Sequence, residues 1–226
     1  MATDTQHRLV RQASRALGAA GLAHAYGHCS VRLDAEHFLV APAKPLGLVI
    51  PTDQCEQVAI NGDFPSHLLG EVRIHREIYR RRADVNGIVR SMPPNVMTLA
   101  AHGITPQPRH GFGAYFYPQP ELWNDPQLLR SDVAAAALSE QLGAGRAIMM
   151  RGNGCVTVGS SLEEAVVLNW YLEDMARVEI AGRMAGLSAN PLSHSDCEAR
   201  AIWAGGILDR MWSYLTRDDP ENTPSC

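Results

Sequence analysis

The stretch from Glu71 to Pro94, EVRIHREIYRRRADVNGIVRSMPP, constrains the fold more than any other part of the chain. It reads as a helix, a tight turn, a buried strand and a proline-marked exit. Ile74, Ile78 and Tyr79 recur near the helical period and mark the buried side, so Arg76, Arg80, Arg81 and Arg82 are expected to face outward. Glu71 and His75 are four residues apart and project from one helical face. Ala83-Asp84-Val85-Asn86-Gly87 turns the chain, and Ile88-Val89-Arg90 starts an apolar strand that carries a guanidinium.

A charge in a buried strand must be paired or face a cavity, because an unpaired ion is costly in an apolar medium. Arg90 therefore points either to a structural ion pair or to anion binding. Glu71 is the sharpest candidate for proton transfer, since desolvation at a helix start beside an apolar strand raises a carboxyl pKa toward acid–base duty. The plainer alternative is that Glu71 complements the helix dipole or pairs with Arg73 or Arg76.

The flanking sequence frames this unit. Residues 5–22 form a first amphipathic helix, and SVRL and HFLVA read as paired strands around Asp34-Ala35-Glu36. Pro42–Gly47 is a shaped loop, and CEQVAI with Asn61-Gly62 reads as a strand with a hairpin-type turn. Pro93-Pro94-Asn95 opens a helix that stops near Gly103. Residues 104–127 form a long loop with one short strand at Phe112–Tyr117, and a loop of that length is usually a lid or subunit contact. A helix over 128–142 precedes AIMMRG and CVTVG, which bracket a turn at Gly152-Asn153-Gly154. Ser161-Leu162-Glu163-Glu164 has capping-box spacing and opens a helix to Gly186. A C-terminal helix is expected over 195–216, carrying Trp203, Leu208, Met211 and Trp212, then a flexible tail over 217–226. The alternation, with hairpins among the strands, predicts a three-layer α/β/α domain with a mixed, largely antiparallel sheet. No Pro/Gly/Ser-rich linker divides the 226 residues, so a single domain is expected.

Composition narrows the function classes. Net charge is −4 with both signs interspersed, which offers no nucleic-acid or membrane surface, and Arg80-Arg81-Arg82 reads as a solvated helix face. No apolar run reaches spanning length, and MATDTQHR lacks a signal-peptide core. The five cysteines are widely spaced without CxxC, so a reducing cytoplasm is the expected compartment. There is no GxGxxG, P-loop, GxSxG or HExxH. His24 and His28 are four apart, but Gly27 argues against the helix that would let them share a metal. Lys44 is the only lysine, so any Schiff base would have to use it.

Several ordered motifs together resemble the class II aldolase/adducin family across roughly residues 8–186. Gly27-His28-Cys29-Ser30-Val31-Arg32 is similar to the family's G-[NH]-x-S-x-R segment, and Phe38–Val49 to its substrate-loop region. Glu71 and His75 match its E-x-x-x-H helix, and Arg82–Val89 the stretch before its metal motif. Arg151-Gly152-Asn153-Gly154, Val158-Gly159, Ser161–Ala165 and Leu172-Glu173 match its RGHG…VG…SLEEA…LE region. The motifs most resemble a branch containing aromatic-acid decarboxylases.

The resemblance implies a divalent metal, usually zinc, held by H-x-H-P-P and the histidine of RGHG. Here Arg90-Ser91-Met92 precede Pro93-Pro94, and Asn153 stands in the RGHG-like turn. A guanidinium has no acceptor, a thioether is a soft ligand and one amide oxygen is weak, so no metal and no other cofactor is expected at that place. Two readings follow. In one, the chain is a metal-independent lyase, a decarboxylase or aldolase, acting on a small keto or hydroxyaromatic acid. Glu71 is then the acid/base, Arg90 stands in for the metal, and His28, His75 and Asn153 orient the substrate. In the other, the chain is a non-catalytic binding or assembly module. A further alternative is a metal-dependent lyase with unusual ligands such as His28, His75 and His110.

Ser30 is a candidate substrate contact with His28. Lys44 is open between pairing with a substrate carboxylate, forming an imine and simple solvation. The resemblance implies a homotetramer with sites at subunit boundaries, where His110, Tyr115 and Tyr117 would complete a neighbour's pocket.

Overall fold

A computed structural model describes residues 2–187 and 190–222. Helix α1 spans Asp4–Ala19, followed by strands β1 (His28–Arg32), β2 (His37–Val40) and β3 (Glu56–Ala59). A 3-10 turn at Gly70–Val72 leads into α2 (Arg73–Arg81), then β4 (Gly87–Ser91) and α3 (Pro94–Ala101). Next come β5 (Glu121–Trp123), α4 (Asp132–Leu142), β6 (Ala147–Met150), β7 (Gly154–Gly159) and the long α5 (Leu162–Met184). Two short helices follow, α6 (His194–Arg200) and α7 (Ile207–Leu215).

The seven strands form one sheet in the order β3-β2-β1-β4-β7-β6-β5. Every neighbouring pair is antiparallel except β5 with β6, as the mixed pattern predicts. Strand side chains alternate between faces, and each face carries its own apolar layer. Ile88, Val156 and Ile148 pack with Phe38, Ile78 and Leu138 beneath α2 and α4. Cys29, Val89 and Met149 pack with Leu17, Leu99 and Leu168 beneath α1, α3 and α5. Among the described residues, no helix is long and apolar enough to cross a membrane.

Four local expectations are corrected. Arg76 does not face outward; it is 2% exposed and reaches Asp132 at 2.6 Å from beneath α4's first turn. Phe112–Tyr117 is not a strand: residues Gly113–Phe116 make a 3-10 turn, and the strand of the long loop is β5. The aromatic rings there stack on other rings instead of joining a ladder, with the exposed Phe112 on Tyr171 at 4.3 Å and the buried Tyr115 against Trp203 at 4.4 Å. β3 is an edge strand paired only with β2, so Asn61-Gly62 closes no hairpin. The capping box at α5 stays open, because Ser161 caps Glu164 N but the Glu164 carboxylate instead accepts from Ser160 N at 2.8 Å.

The chain's end also differs from expectation. The region 195–216 is two helices, broken where Gly205 and Gly206 take φ values of +70° and +68°. Residues 217–222 do not hang free: Asp219 and Glu221 pair with Arg15 at 2.7 Å each, and Glu221 with Arg11 at 2.6 Å. The remainder of that expected tail, 223–226, lies outside the described residues.

One turn fixes the two central strands against each other. Gly154 enters β7 at φ +85°, and a Cβ there would run into the carbonyl of Ser91 on β4. Only glycine meets both demands. Gly154→Ala is expected to cost about 3 kcal/mol or more, read as a lowered urea midpoint with an unchanged slope.

Candidate active site

The site is built where α2 crosses β1 and β4. Alternation puts His28, Ser30 and Arg32 of β1 on the α2 face of the sheet. The antiparallel register sets His28 directly opposite Arg90 of β4. On the helical side, Glu71, His75 and Tyr79 fall on one stripe at spacings of four residues. The two stripes interlock. His75 Nε2 meets His28 Nδ1 at 2.7 Å, and His75 Nδ1 meets Ser30 Oγ at 2.6 Å. Ser30 Oγ meets the Tyr79 hydroxyl at 2.9 Å, and Tyr79 donates to the Ser30 carbonyl at 3.1 Å. Arg32 closes the far end, donating to the carbonyls of Tyr79 and Arg82 at the C-terminus of α2.

At the near end the stripe opens into a cleft of about 590 Å³. Its walls include His28, Lys44, Glu71, Arg90, Met92, Arg130 and Asn153, among apolar groups from Ala43, Pro45, Leu69 and Leu128. The cleft has the size and mixed lining of a small-molecule site. Gly27, at φ +151°, lets the chain pass close to the carbonyl of Arg90 and deliver His28.

The expected site residues divide into three groups. Glu71, Arg90, His28, Lys44 and Asn153 converge on the cleft. His75 and Ser30 are entirely buried behind it and serve the internal chain of hydrogen bonds. His110 and Tyr115 are elsewhere, among the aromatic residues packed on α5 at the opposite face of the sheet. The Tyr115 hydroxyl donates to the carbonyl of Ile202 at 2.6 Å, and His110 lies 3.7 Å from Asp174. His24 is exposed and shares nothing with His28.

Partners differ from those expected in two places. Glu71 pairs with Arg130 at 3.1 Å, while Arg73 and Arg76 both take Asp132. Lys44 pairs with Asp53 at 2.7 Å, so its ammonium is already matched at the cleft wall. The sequence marks neither Arg130 nor Tyr79 as part of a site. Tyr79 was legible as the next turn of the Glu71–His75 stripe, but its aromatic ring suggested only core. Arg130 carried no local signal.

Arg90 is the exception among these charges. It is 5% exposed, its Nε has no hydrogen-bond partner, and no carboxylate among the described residues comes within 4.0 Å of it. Burial lowers its pKa from the ordinary arginine value, and the nearby Glu71 partly offsets this. A guanidinium stays charged even so, which leaves in the cleft wall a buried cation whose nearby carboxylate, Glu71, is paired with Arg130 instead. Burial, reinforced by Arg90, holds the His75 imidazole down at about 3 and His28 well below the histidine range, so both rings are neutral at pH 7. Burial pushes the Cys29 and Cys155 thiols up to about 12, which removes them as nucleophiles.

Arg90, Met92 and Asn153, the three residues at the metal-ligand positions implied by the resemblance, do come together in the cleft. Asn153 spends its amide donors on the carbonyls of Pro126 and Gln127 at 3.2 and 3.3 Å. Among the described residues, no group of three or more His, Cys, Asp or Glu is placed to hold a metal ion. His28 and His75 face each other and His110 is remote, so the alternative ligand set is not assembled. This donor set does not fit a divalent cation.

A sheet of this order with a cleft at the β1–β4 seam defines an α/β/α domain of the aldolase type. The chain belongs to the class II aldolase and adducin N-terminal domain family, whose pattern matches residues 8–180. It is similar to a 3,4-dihydroxyphthalate decarboxylase of Arthrobacter keyseri, 26% identical over 205 residues and covering 81% of each chain. A protein of the same name from Terrabacter sp. (strain DBF63) is 26% identical over 212 residues, 86% of this chain and 88% of that one. The fold is shared with an L-fuculose 1-phosphate aldolase from Glaciozyma antarctica PI12 (TM-score 0.77, 21% identity, 95% of this chain and 88% of that one). An aldolase II superfamily protein from Pseudomonas syringae aligns with TM-score 0.75 at 23% identity, over 94% and 92% of the two chains.

Two outcomes follow from the electrostatics. An unpaired buried cation is a stability cost, so Arg90→Met is expected to raise unfolding free energy by about 1–3 kcal/mol in urea titrations; a loss of stability would mean that Arg90 has a structural partner. The buried histidines have folded-state pKa values below their unfolded ones. For His75 the contribution is complete above pH 6.5 and lost as pH falls toward 3, by about 1.4 kcal/mol per unit, and His28 acts in the same direction. A His75→Asn variant should show a flatter stability profile between pH 6 and pH 4.5 than the wild type.

Proposed function

We propose that this chain is a carbon–carbon lyase that decarboxylates a small hydroxyaromatic or keto acid without a metal. The observation that carries the reading is Arg90, a buried guanidinium with no carboxylate partner, facing a cleft that also holds Glu71. The decarboxylase names of the two relatives support this substrate class.

The chemistry needs a proton delivered to carbon and a place for negative charge on oxygen. Glu71 gives a proton to the ring carbon bearing the carboxylate while the ortho hydroxyl releases its own to solvent, so the substrate passes through a β-keto acid. The bond to the carboxyl carbon then breaks and carbon dioxide leaves. Its electron pair returns through the ring to the oxygen, where the fixed charge of Arg90 stabilises the phenolate in a water-poor setting. The oxygen regains its proton and Glu71 recovers one from solvent. One proton is consumed for each carbon dioxide released. Arg130, paired with Glu71, keeps that carboxyl turned toward the cleft. Lys44 and Asn153 border the space a substrate would fill.

Carbon dioxide release from a panel of ortho-hydroxy aromatic acids tests the proposal. Glu71→Gln is expected to lower kcat by about 10² or more. Arg90→Met should lower kcat/KM by about 10²–10³. Turnover that survives Glu71→Gln unchanged would contradict its role. Binding of these acids that depends on Arg90, with no turnover by the wild type, would instead make the chain a binding module.

A further inference from the structure

His28 is the cleft residue whose hydrogen-bonding state the rest of the protein dictates. Tyr79 fixes the sense of the chain of hydrogen bonds. Its hydroxyl has one proton and lies 3.1 Å from the Ser30 carbonyl, which can only accept. With that proton placed there, the 2.9 Å contact between Ser30 Oγ and Tyr79 must carry the serine proton toward tyrosine. Ser30 has then no proton left for His75, so His75 Nδ1–H donates across the 2.6 Å contact to Ser30 Oγ. His75 is neutral, and its Nε2 is a lone pair. His28 Nδ1–H therefore donates to it across 2.7 Å, which leaves His28 Nε2 bare.

The opposite polarity would run every bond the other way and end in an N–H on His28 Nε2. That nitrogen is buried and has no partner in the protein. Orphaned buried N–H groups are rarer than under-used acceptors. The reversed chain would also take the tyrosine proton from the Ser30 carbonyl. Finally, Arg90 stands directly across the strand pair, and a cation favours a facing lone pair over a facing N–H dipole.

We infer that Tyr79, Ser30 and His75 form a hydrogen-bonded chain that presets His28 Nε2 as an acceptor, and that this lone pair receives the substrate's hydroxyl. The inference rests on the lyase reading for its substrate. One oxygen would then be served from two sides, accepting from the Arg90 guanidinium and donating its proton to His28 Nε2. The recognised class is an aromatic or enolic acid with a free hydroxyl ortho to the carboxyl group. A compound whose oxygen carries no proton leaves the buried lone pair unmatched, and sites built for a hydroxyl discriminate strongly against its absence. His75, Ser30 and Tyr79 are positioning residues, because none of them lines the cleft.

The test has two arms. In the unliganded protein labelled with nitrogen-15 histidine, with His28→Asn used for assignment, His28 is expected to show a pyrrole-type Nδ1 and a pyridine-type Nε2 at pH 7. In Tyr79→Phe, or Ser30→Ala where that variant folds better, this single tautomer should give way to a mixture. A proton on Nε2 in the wild type, or an unchanged tautomer in both variants, would overturn the inference. The second arm measures Kd for 2-hydroxybenzoate, 2-methoxybenzoate and benzoate by calorimetry. The wild type should prefer the hydroxy acid by about tenfold or more over either analogue, and Tyr79→Phe should reduce that ratio several-fold. A merely structural role for Tyr79 would change melting temperature and leave the ratio alone, which would also overturn the inference. Because the tautomer is read without turnover, absence of decarboxylation would remove the lyase reading and not this one.

Discussion

The contact between α2 and β1 sets the terms for the rest of the molecule. A helix repeats a face every four residues and a strand every two, so Glu71, His75 and Tyr79 can lie along Arg90, His28, Ser30 and Arg32 like two meshed rows. This row is polar inside a layer that is otherwise apolar, and a polar group there is tolerated only when bonded. His75, Ser30 and Tyr79 meet that demand among themselves. The two atoms of the row left over, His28 Nε2 and Arg90 Nε, belong to residues facing each other at the cleft. The packing constraint thus delivers two unmatched polar atoms, one on an imidazole and one on a guanidinium, to the same place.

The surrounding architecture holds that arrangement still. β4 lies between β1 and β7 at the centre of the sheet, so Arg90 is fixed by ladders on both sides. The close approach at Gly154 sets β7 against β4, and Gly27 admits His28 beside the Arg90 backbone. On the other face, Ser91 donates to Asn169 of α5 at 2.8 Å, which anchors the strand that carries Arg90 to the longest helix. A cation without a counter-ion persists only where its strand is fixed in this way, because relaxation toward a carboxylate would otherwise relieve the cost.

Much of this was legible in the sequence, and the failures are instructive. The layer order and mixed sheet follow from helical and strand periods in apolar residues, which are local signals. Glu71, Arg90, His28 and Asn153 stood out through their ordered motifs, and all four line the cleft. Arg76 was misread because periodicity counts charge as outward, whereas its guanidinium reaches Asp132 across a sequence separation no local rule can see. The strand expected at Phe112–Tyr117 failed because aromatic residues bury equally well by stacking. His110 and Tyr115 were assigned by the resemblance to a neighbouring subunit's pocket; within the chain their loop packs on α5. Arg130 was invisible, since an exposed loop arginine has meaning only once Glu71 is opposite.

The account stands or falls on whether Arg90 does the electrostatic work that a metal would do in this cleft. The decisive measurement is the decarboxylation rate of a chelator-stripped sample, read together with its metal content by mass spectrometry. The account predicts the full rate at negligible metal per chain, with no gain on adding zinc, manganese or magnesium. A rate proportional to bound metal would contradict it.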